Sequence, residues 1–305
     1  MTFLSSLADL ISAEVKRPLS PALASVAEAA RERYGDGIVA VLIYGSCLRE
    51  NSDEGKIVDI YLLAEEYSQI HGRSPMRWLN RWLPPNVYYL ESHHCDRIVR
   101  AKYALLTLEH FCQLVAPTTL HPYFWARFAQ PTALAWVRDR TTEQAVITAL
   151  AQAVVTLVVE AAPLAPVAAT SETFWPAAFA ATYGTELRAE RLGRAQELYR
   201  ADRERYDQIF RLACQTTEVA FDANRAKPRQ AARRKWRRRR YLGKILSVSR
   251  LVKAAFSFQD GPDYLLWKVE RHSGVHYQLS AWQRRHPLMA APAVFWRLYR
   301  RGAFR

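Results

Sequence analysis

The stretch "YGSCLRENSDEGKIVDIYLL", Tyr44 to Leu63, sets a Gly-Ser pair at the close of one apolar run and an aspartate inside the next. "IVAVLIYG" from Ile38 is a continuous β-branched run, the pattern of a strand buried on both faces. "IVDIYLLA" from Ile57 is a second such run, and "NVYYLE" from Asn86 a third. Gly45-Ser46 and Asp59 then stand at the facing ends of two strands. A glycine there lets backbone approach a ligand with no Cβ in the way. A helix or turn starting at that point would offer free N–H groups and the Ser46 hydroxyl to phosphate oxygens. A carboxylate opposite is placed to hold Mg2+, which bridges phosphate oxygens and neutralises charge during transfer.

Outward from this centre, the first 35 residues read as helical, ending near Gly35-Asp36-Gly37. "SPMRWLNRWLPP" reads as a helix stopped by its prolines. Strands with intervening helices imply an α/β domain over residues 1–106. From 107 to 222 the periodicity is helical, with no strand expected. "AVITALAQAVVTLVVEAAPLAPVAA", residues 145–169, is interrupted by Gln152, Glu160, Pro163 and Pro166, so a buried helix and a loop are expected rather than a membrane span. Ser171 is the expected cap of the next helix, and residues 186–215 read as one long charged helix. Residues 223–305 form a third region, basic and rich in aromatics.

Composition narrows the class. An apolar content of 50% in 305 residues is ample for a core and excludes a disordered chain. Cys47, Cys95, Cys112 and Cys214 are widely spaced, which fits a reducing compartment better than a disulfide framework or a zinc site. His93-His94-Cys95 lies in an extended segment, where neighbours point to opposite faces and rarely share a metal. The N-terminus carries Asp9 and Glu14 ahead of its cations and matches neither a secretory signal nor a transit peptide. The net charge is +14, but residues 222–305 alone hold 21 Lys+Arg against 4 Asp+Glu. All the excess cation is therefore in the last 84 residues, which points to a polyanionic partner, lipid or nucleic acid.

Gly45-Ser46, a spacer of 12 residues and the apolar-framed Asp59 resemble the nucleotidyltransferase (polymerase-β-like) signature, with Tyr61 in the slot of its second acid. More of the chain, roughly Val41 to Gln215, resembles the mitochondrial-type phosphatidate cytidylyltransferases, the translocator assembly and maintenance family. "YGSC" and "VDIYLL" match that family's glycine-serine and aspartate motifs. "VYYLESHHCDRIVRAKYA" supplies Val87, Tyr88, Tyr89, Cys95, Asp96, Lys102 and Tyr103. "PYFWARFAQP" keeps Tyr123, Ala126, Arg127 and Pro131, and "TYGTELR" keeps Tyr183, Glu186 and Arg188. Leu90 stands where the family has asparagine, and Glu186 where it has aspartate. The resemblance implies a peripheral membrane enzyme that makes CDP-diacylglycerol from CTP and phosphatidic acid, with Mg2+ and release of pyrophosphate.

On that reading Asp59, Ser46 and Lys102 are catalytic, and Gly45, Ser46, Lys102, Arg127 and Arg188 hold the nucleotide or the lipid phosphate. Cations at these positions balance charge developing on pyrophosphate. Asp59 holds the metal. Glu91, on the strand face of Val87 and Tyr89, is the candidate second carboxylate, with Glu186 and Asp96 as rivals. Wound as a helix, Arg233 to Phe258 places Tyr241, Leu242, Ile245, Val248, Val252 and Phe256 on one side, with Lys244, Ser247 and Arg250 away from it. Such a stripe either packs on the protein's own core or lies in an anionic bilayer interface, which would place the protein on the inner, cytoplasmic face of a membrane. On the membrane reading Arg237 to Arg240 meet anionic lipid and add little to the stability of the fold; on the core reading they are merely solvated. An RNA-directed nucleotidyltransferase, with Trp236 stacking a base, and a non-catalytic binding protein are the alternatives. Nucleic acid is disfavoured because the residues after the arginine run turn apolar.

Overall fold

The structure is a computed structural model that describes residues 2–72, 75–166, 168–186, 193–216, 219, 226–257, 275–285 and 287–301. Its elements in order are α1 (Phe3–Val15), α2 (Pro21–Glu32), β1 (Ile38–Tyr44), α3 (Ser46–Glu50), β2 (Val58–Ala64), α4 (Tyr67–His71), α5 (Pro75–Trp82), β3 (Asn86–His94) and β4 (Arg97–Thr107). They continue with α6 (Leu108–Val115), α7 (Tyr123–Phe128), β5 (Thr132–Val137), α8 (Arg140–Ala161), α9 (Ser171–Tyr183), α10 (Arg194–Ala201), α11 (Arg203–Cys214), α12 (Ala226–Ser257), α13 (Ala281–Arg285) and α14 (Pro287–Arg300).

The fold is mixed α/β. Five strands form one sheet in the order β3-β4-β2-β1-β5. β2 and β4 run parallel, and the other neighbours are antiparallel. β1 and, apart from Asp59, β2 are apolar because both sheet faces are covered. On one face α2 packs Leu23, Val26 and Ala30 against Val41, Ile43, Ile60 and Leu62. On the other, Leu42, Tyr61, Leu63 and Ala104 meet the larger core built by α1, α6, α7, α8, α9 and α11. Each fully buried Leu, Val or Phe in it contributes about 1.5–3 kcal/mol.

Two strands depart from the sequence reading. β4 carries Arg97, Arg100 and Lys102 through its first half, and those cations mask its alternation. β5 lies inside the region expected to have no strand, so the sheet draws on residues beyond 106. Its sequence "TALAWV" is short and holds two alanines, weak strand formers, and pairing with β1 at the sheet edge decides its conformation.

The helices differ from expectation in detail. α8 spans 22 residues, starts on the Asp139 side chain, which accepts from the Thr142 N–H at 2.8 Å, and buries most of its length. Among the described residues it is the one helix long and apolar enough to cross a membrane, and it lies in the core. Thr170, not Ser171, caps α9, and Thr173 completes a reciprocal capping box. The single long helix expected over 186–215 is interrupted. α10 and α11 meet at Asp202, whose backbone (φ −130°, ψ 39°) is not helical. The break lets Arg205 reach back to Glu14 of α1 in a buried ion pair and donate to the Ala129 carbonyl at 3.0 Å.

α12 turns the face opposite its apolar stripe inward. Its inward face carries Trp236, Arg239, Gly243 and Lys253. A Cβ on Gly243 would stand 2.3 Å from the Thr185 carbonyl oxygen, so only glycine allows this approach. Arg239 is fully buried, donating to Glu160 Oε2 at 2.8 Å and to the Leu120 carbonyl at 2.8 Å. The expectation that all four of Arg237 to Arg240 add little to the stability of the fold is therefore corrected at Arg239; Arg237, Arg238 and Arg240 are exposed.

Candidate functional site

The strand registers assemble one row of side chains across all five strands. Thr132, Tyr44, Asp59, Lys102 and Tyr89 are successive partners on β5, β1, β2, β4 and β3. Partners in register share a sheet face. The row therefore lies on the face of the larger core, at the end where β1 stops and β2 starts.

Gly45 and Asp59 meet closely at the centre of the row. Gly45 has φ +89°, and a Cβ on it would stand 3.2 Å from Asp59 Oδ2. That backbone conformation and that space both require glycine. α3 begins at Ser46, as the sequence suggests, with Ser46 half-buried beside the turn. On the other side of Asp59, Lys102 Nζ lies 2.9 Å from Oδ1. Both side chains are partly open to solvent, 39% for Lys102 and 27% for Asp59, so a ligand can reach them. An ion pair this exposed contributes at most about 1 kcal/mol, so incoming charge readily rearranges it. Cys47, next to Ser46, is buried and bonds to the Ile57 carbonyl, and burial pushes its thiol up to about 11; it is packing, not a nucleophile.

Arg127 is the second cation brought to the row. Its guanidinium lies 4.1 Å from the centre of the Tyr123 ring and 5.6 Å from that of Tyr44, and its Nη1 donates to the Tyr61 hydroxyl at 3.3 Å. Tyr61, in the slot of the absent second acid, thus serves as an anchor for an arginine. Burial drives the Tyr44 hydroxyl well up, so it stays neutral. Three aromatic rings and one guanidinium form the floor beside Asp59, a surface suited to a base or a phosphate chain.

The candidate second carboxylates lie elsewhere. Glu91 is on the same sheet face, but its Oε1 accepts from the Tyr89 hydroxyl at 2.7 Å and from Arg100 Nε at 2.9 Å. In register it is two strands and two residues away from Asp59, beyond the reach of one shared ion without rearrangement. Asp96 is at the exposed tip of the β3–β4 hairpin. Glu186 faces Tyr123, Arg127 and Arg250 electrostatically. Among the described residues no three or more His, Cys, Asp or Glu side chains cluster to hold an ion. Arg188 lies outside the described residues.

Sequence reading missed Arg250. It comes from α12, far along the chain, yet its guanidinium lies 4.2 Å from the centre of the Tyr123 ring that Arg127 also contacts. The helical period of α12 sets Arg250 opposite the apolar stripe but carries no signal that this side meets the protein.

The stripe itself faces out. Tyr241, Ile245 and Val248 are 74%, 47% and 49% exposed, so the described part of it does not pack on the core. Val252 and Phe256 lie outside the described side chains. Trp78 and Trp82 on α5 and Trp282, Met289, Phe295, Trp296 and Tyr299 on α13 and α14 are also exposed. Trp236 is not available to stack a base: it is buried, packs edge-on to Trp125, and donates to the Glu160 carbonyl at 3.0 Å.

No protein-family model matches the sequence, and no curated protein matches it significantly.

Proposed function

We propose that the protein is a nucleotidyltransferase of the polymerase-β-like class that moves a cytidylyl group from CTP to phosphatidic acid or a related lipid phosphate. The observation that carries this reading is the contact of Gly45 with Asp59, completed by Lys102 at 2.9 Å. A bare backbone turn, a carboxylate and an ammonium at the end of two strands form a site for a triphosphate. A resident metal does not fit, because Asp59 is a lone carboxylate. One that arrives with the nucleotide does fit, since Mg2+ commonly takes one or two carboxylates and completes its shell with substrate phosphates and water. Asp59 would hold that ion, which when bound supplies charge neutralisation across the phosphates.

The remaining work falls to the chain's own groups. Lys102 leaves Asp59 for a phosphate oxygen as the nucleotide enters. The turn at Gly45-Ser46 donates to the same phosphates, and Arg127, held by Tyr61, balances charge on departing pyrophosphate. No nucleophilic side chain is needed: the lipid phosphate oxygen attacks the α-phosphorus, the bond to the β-phosphate oxygen breaks, and pyrophosphate leaves with its electron pair. The exposed aromatic and apolar side chains of α12, α13 and α14, set among arginines, support a place on an anionic membrane surface, on the inner, cytoplasmic leaflet.

The test is transfer itself. Full-length protein with Mg2+ and radiolabelled CTP is expected to label phosphatidate in liposomes. Label in RNA but not in lipid would replace the acceptor. Loss of neither activity nor nucleotide binding in Asp59→Ala would remove the site.

A further inference from the structure

A second cluster of cationic and imidazole side chains includes Arg250, whose guanidinium lies against the Tyr123 ring. Arg81 and Trp82 of α5, His110 of α6, His121 just before α7, and Leu246 and Arg250 of α12 line a cavity of about 170 Å3. No acidic side chain lines it among the described residues. Arg250 Nε is spent on the Pro84 carbonyl at 2.8 Å, which fixes the guanidinium, but its Nη1 is buried and has no hydrogen-bond partner among the described residues. His121 is 7% exposed; its Nδ1 accepts from the Tyr123 N–H at 3.2 Å, so the proton is on Nε2, and that N–H is also buried without a partner.

Two buried donors left unpaired among the cavity's lining residues are costly unless a ligand or water satisfies them. Arg127 and Arg250 both lie against the Tyr123 ring and add like charge; among the described residues neither forms an ion pair, and Glu186 faces both but bonds to neither. Burial and the two arginines hold His121 down to about 3, so it acts as a neutral N–H donor at any ordinary pH. What such a wall lacks is an anion with several acceptor oxygens.

We infer that this cavity is a phosphomonoester site, in which Arg250 Nη1, His121 Nε2 and Arg81 donate to the oxygens of one tetrahedral phosphate. A carboxylate offers only two oxygens and satisfies fewer of these donors. The source is either a lipid headgroup or a soluble phosphate ester. Trp82, 81% exposed, and Leu246 line the same cavity, giving an apolar edge on which an acyl chain can lie. On the transferase reading, on which only this assignment of role rests, the cavity seats the acceptor phosphate, one tyrosine ring from Arg127.

The test reads binding alone, without nucleotide or metal, so its failure leaves the Asp59 assignment to its own experiment. Inorganic phosphate, glycerol 3-phosphate, dihexanoyl phosphatidate and, as control, acetate are titrated into full-length protein at constant ionic strength by calorimetry. Phosphate and its esters are expected to bind and acetate not. Arg250→Gln is expected to weaken binding about tenfold or more, the loss of one charged hydrogen bond. Arg81→Gln, at an exposed position, gives a smaller loss and decides the matter if Arg250→Gln does not fold. Tighter binding of the phosphatidate than of glycerol 3-phosphate identifies a lipid; equal binding keeps the site and makes its ligand soluble. No phosphate binding, acetate binding of equal strength, or unchanged affinity in both variants overturns the inference.

Discussion

Two ion-paired carboxylates in this protein use the same chemistry to opposite ends. Glu160 of α8 joins Arg239 at 2.8 Å and Lys235 at 2.6 Å, with Arg239 fully buried and Glu160 nearly so. Asp59 joins Lys102 at 2.9 Å where both are open to solvent. The first fastens α12 to the core, since Trp236 and Arg239 also bond to backbone carbonyls of the same neighbourhood. The second fastens nothing that the sheet registers do not already hold. Burial, rather than the identity of the charged groups, separates a structural pair from one that a ligand can open.

Breaking the buried pair has the largest expected effect. Glu160→Ala leaves the Arg239 guanidinium buried without its counter-charge, and stability should fall by about 3–5 kcal/mol, read by urea unfolding. Burial pushes the Glu160 carboxyl up, but bonds from Arg239 and Lys235 outweigh it and the net shift is downward. A lowered folded-state value makes this stabilisation complete above the ordinary glutamate range and lost as pH falls through and below it. Wild type should therefore lose stability into acid faster than Glu160→Ala does. Equal stability of the two proteins at neutral pH would erase the contrast.

Asp59→Ala sharpens it from the other side. Transfer should drop by about a hundredfold or more, at least about 2.7 kcal/mol of transition-state stabilisation, while the melting temperature stays near wild type. A large fall in melting temperature would mean that the exposed pair is structural too. Ser46→Ala should be milder than Asp59→Ala, because one hydroxyl bond to a charged oxygen is worth about 1.5–3 kcal/mol and backbone donors remain. Complete inactivity of Ser46→Ala with nucleotide binding intact would give that hydroxyl a more direct part in the chemistry.

The smallest effect per residue belongs to the exposed arginines of α12. Changing Arg237, Arg238 and Arg240 to Ser, and leaving Arg239, should reduce sedimentation with phosphatidate-containing liposomes by about 1 kcal/mol per charge, steeply dependent on salt, with thermal stability unchanged. Including Arg239 in the set should instead unfold α12 from the core. Equal binding of wild type to neutral and anionic liposomes would remove the electrostatic part of the membrane reading.

Much of the sheet was legible in residue order. β1 announces itself as an uninterrupted apolar run and β2 as one broken only by Asp59, because both faces are covered, and Gly45-Ser46 and Asp59 sit at their facing ends by simple counting. α8 declares itself as a core helix through its length and its near absence of charge. β5 and the break at Asp202 were not legible, since each depends on a partner distant in the chain: β1 for the strand, Glu14 for the turn that brings Arg205 inward.

The sequence by itself determined the strand ends that face each other, the Gly-Ser pair that closes one of them opposite an aspartate, and the concentration of cation in the last 84 residues. Tertiary structure alone decided which face of α12 turns inward. Periodicity places Tyr241, Ile245 and Val248 on one side and Arg239, Arg250 and Lys253 on the other, but it does not say which side meets protein. Glu160, the Leu120 carbonyl and the carbonyls of Leu83, Pro84 and Pro85 supply partners that satisfy the buried cations, and Gly243 lets the helix close onto Thr185. With those partners in place the polar face goes in and the apolar face is left to solvent or lipid, because a buried cation is tolerated only where fixed acceptors replace water.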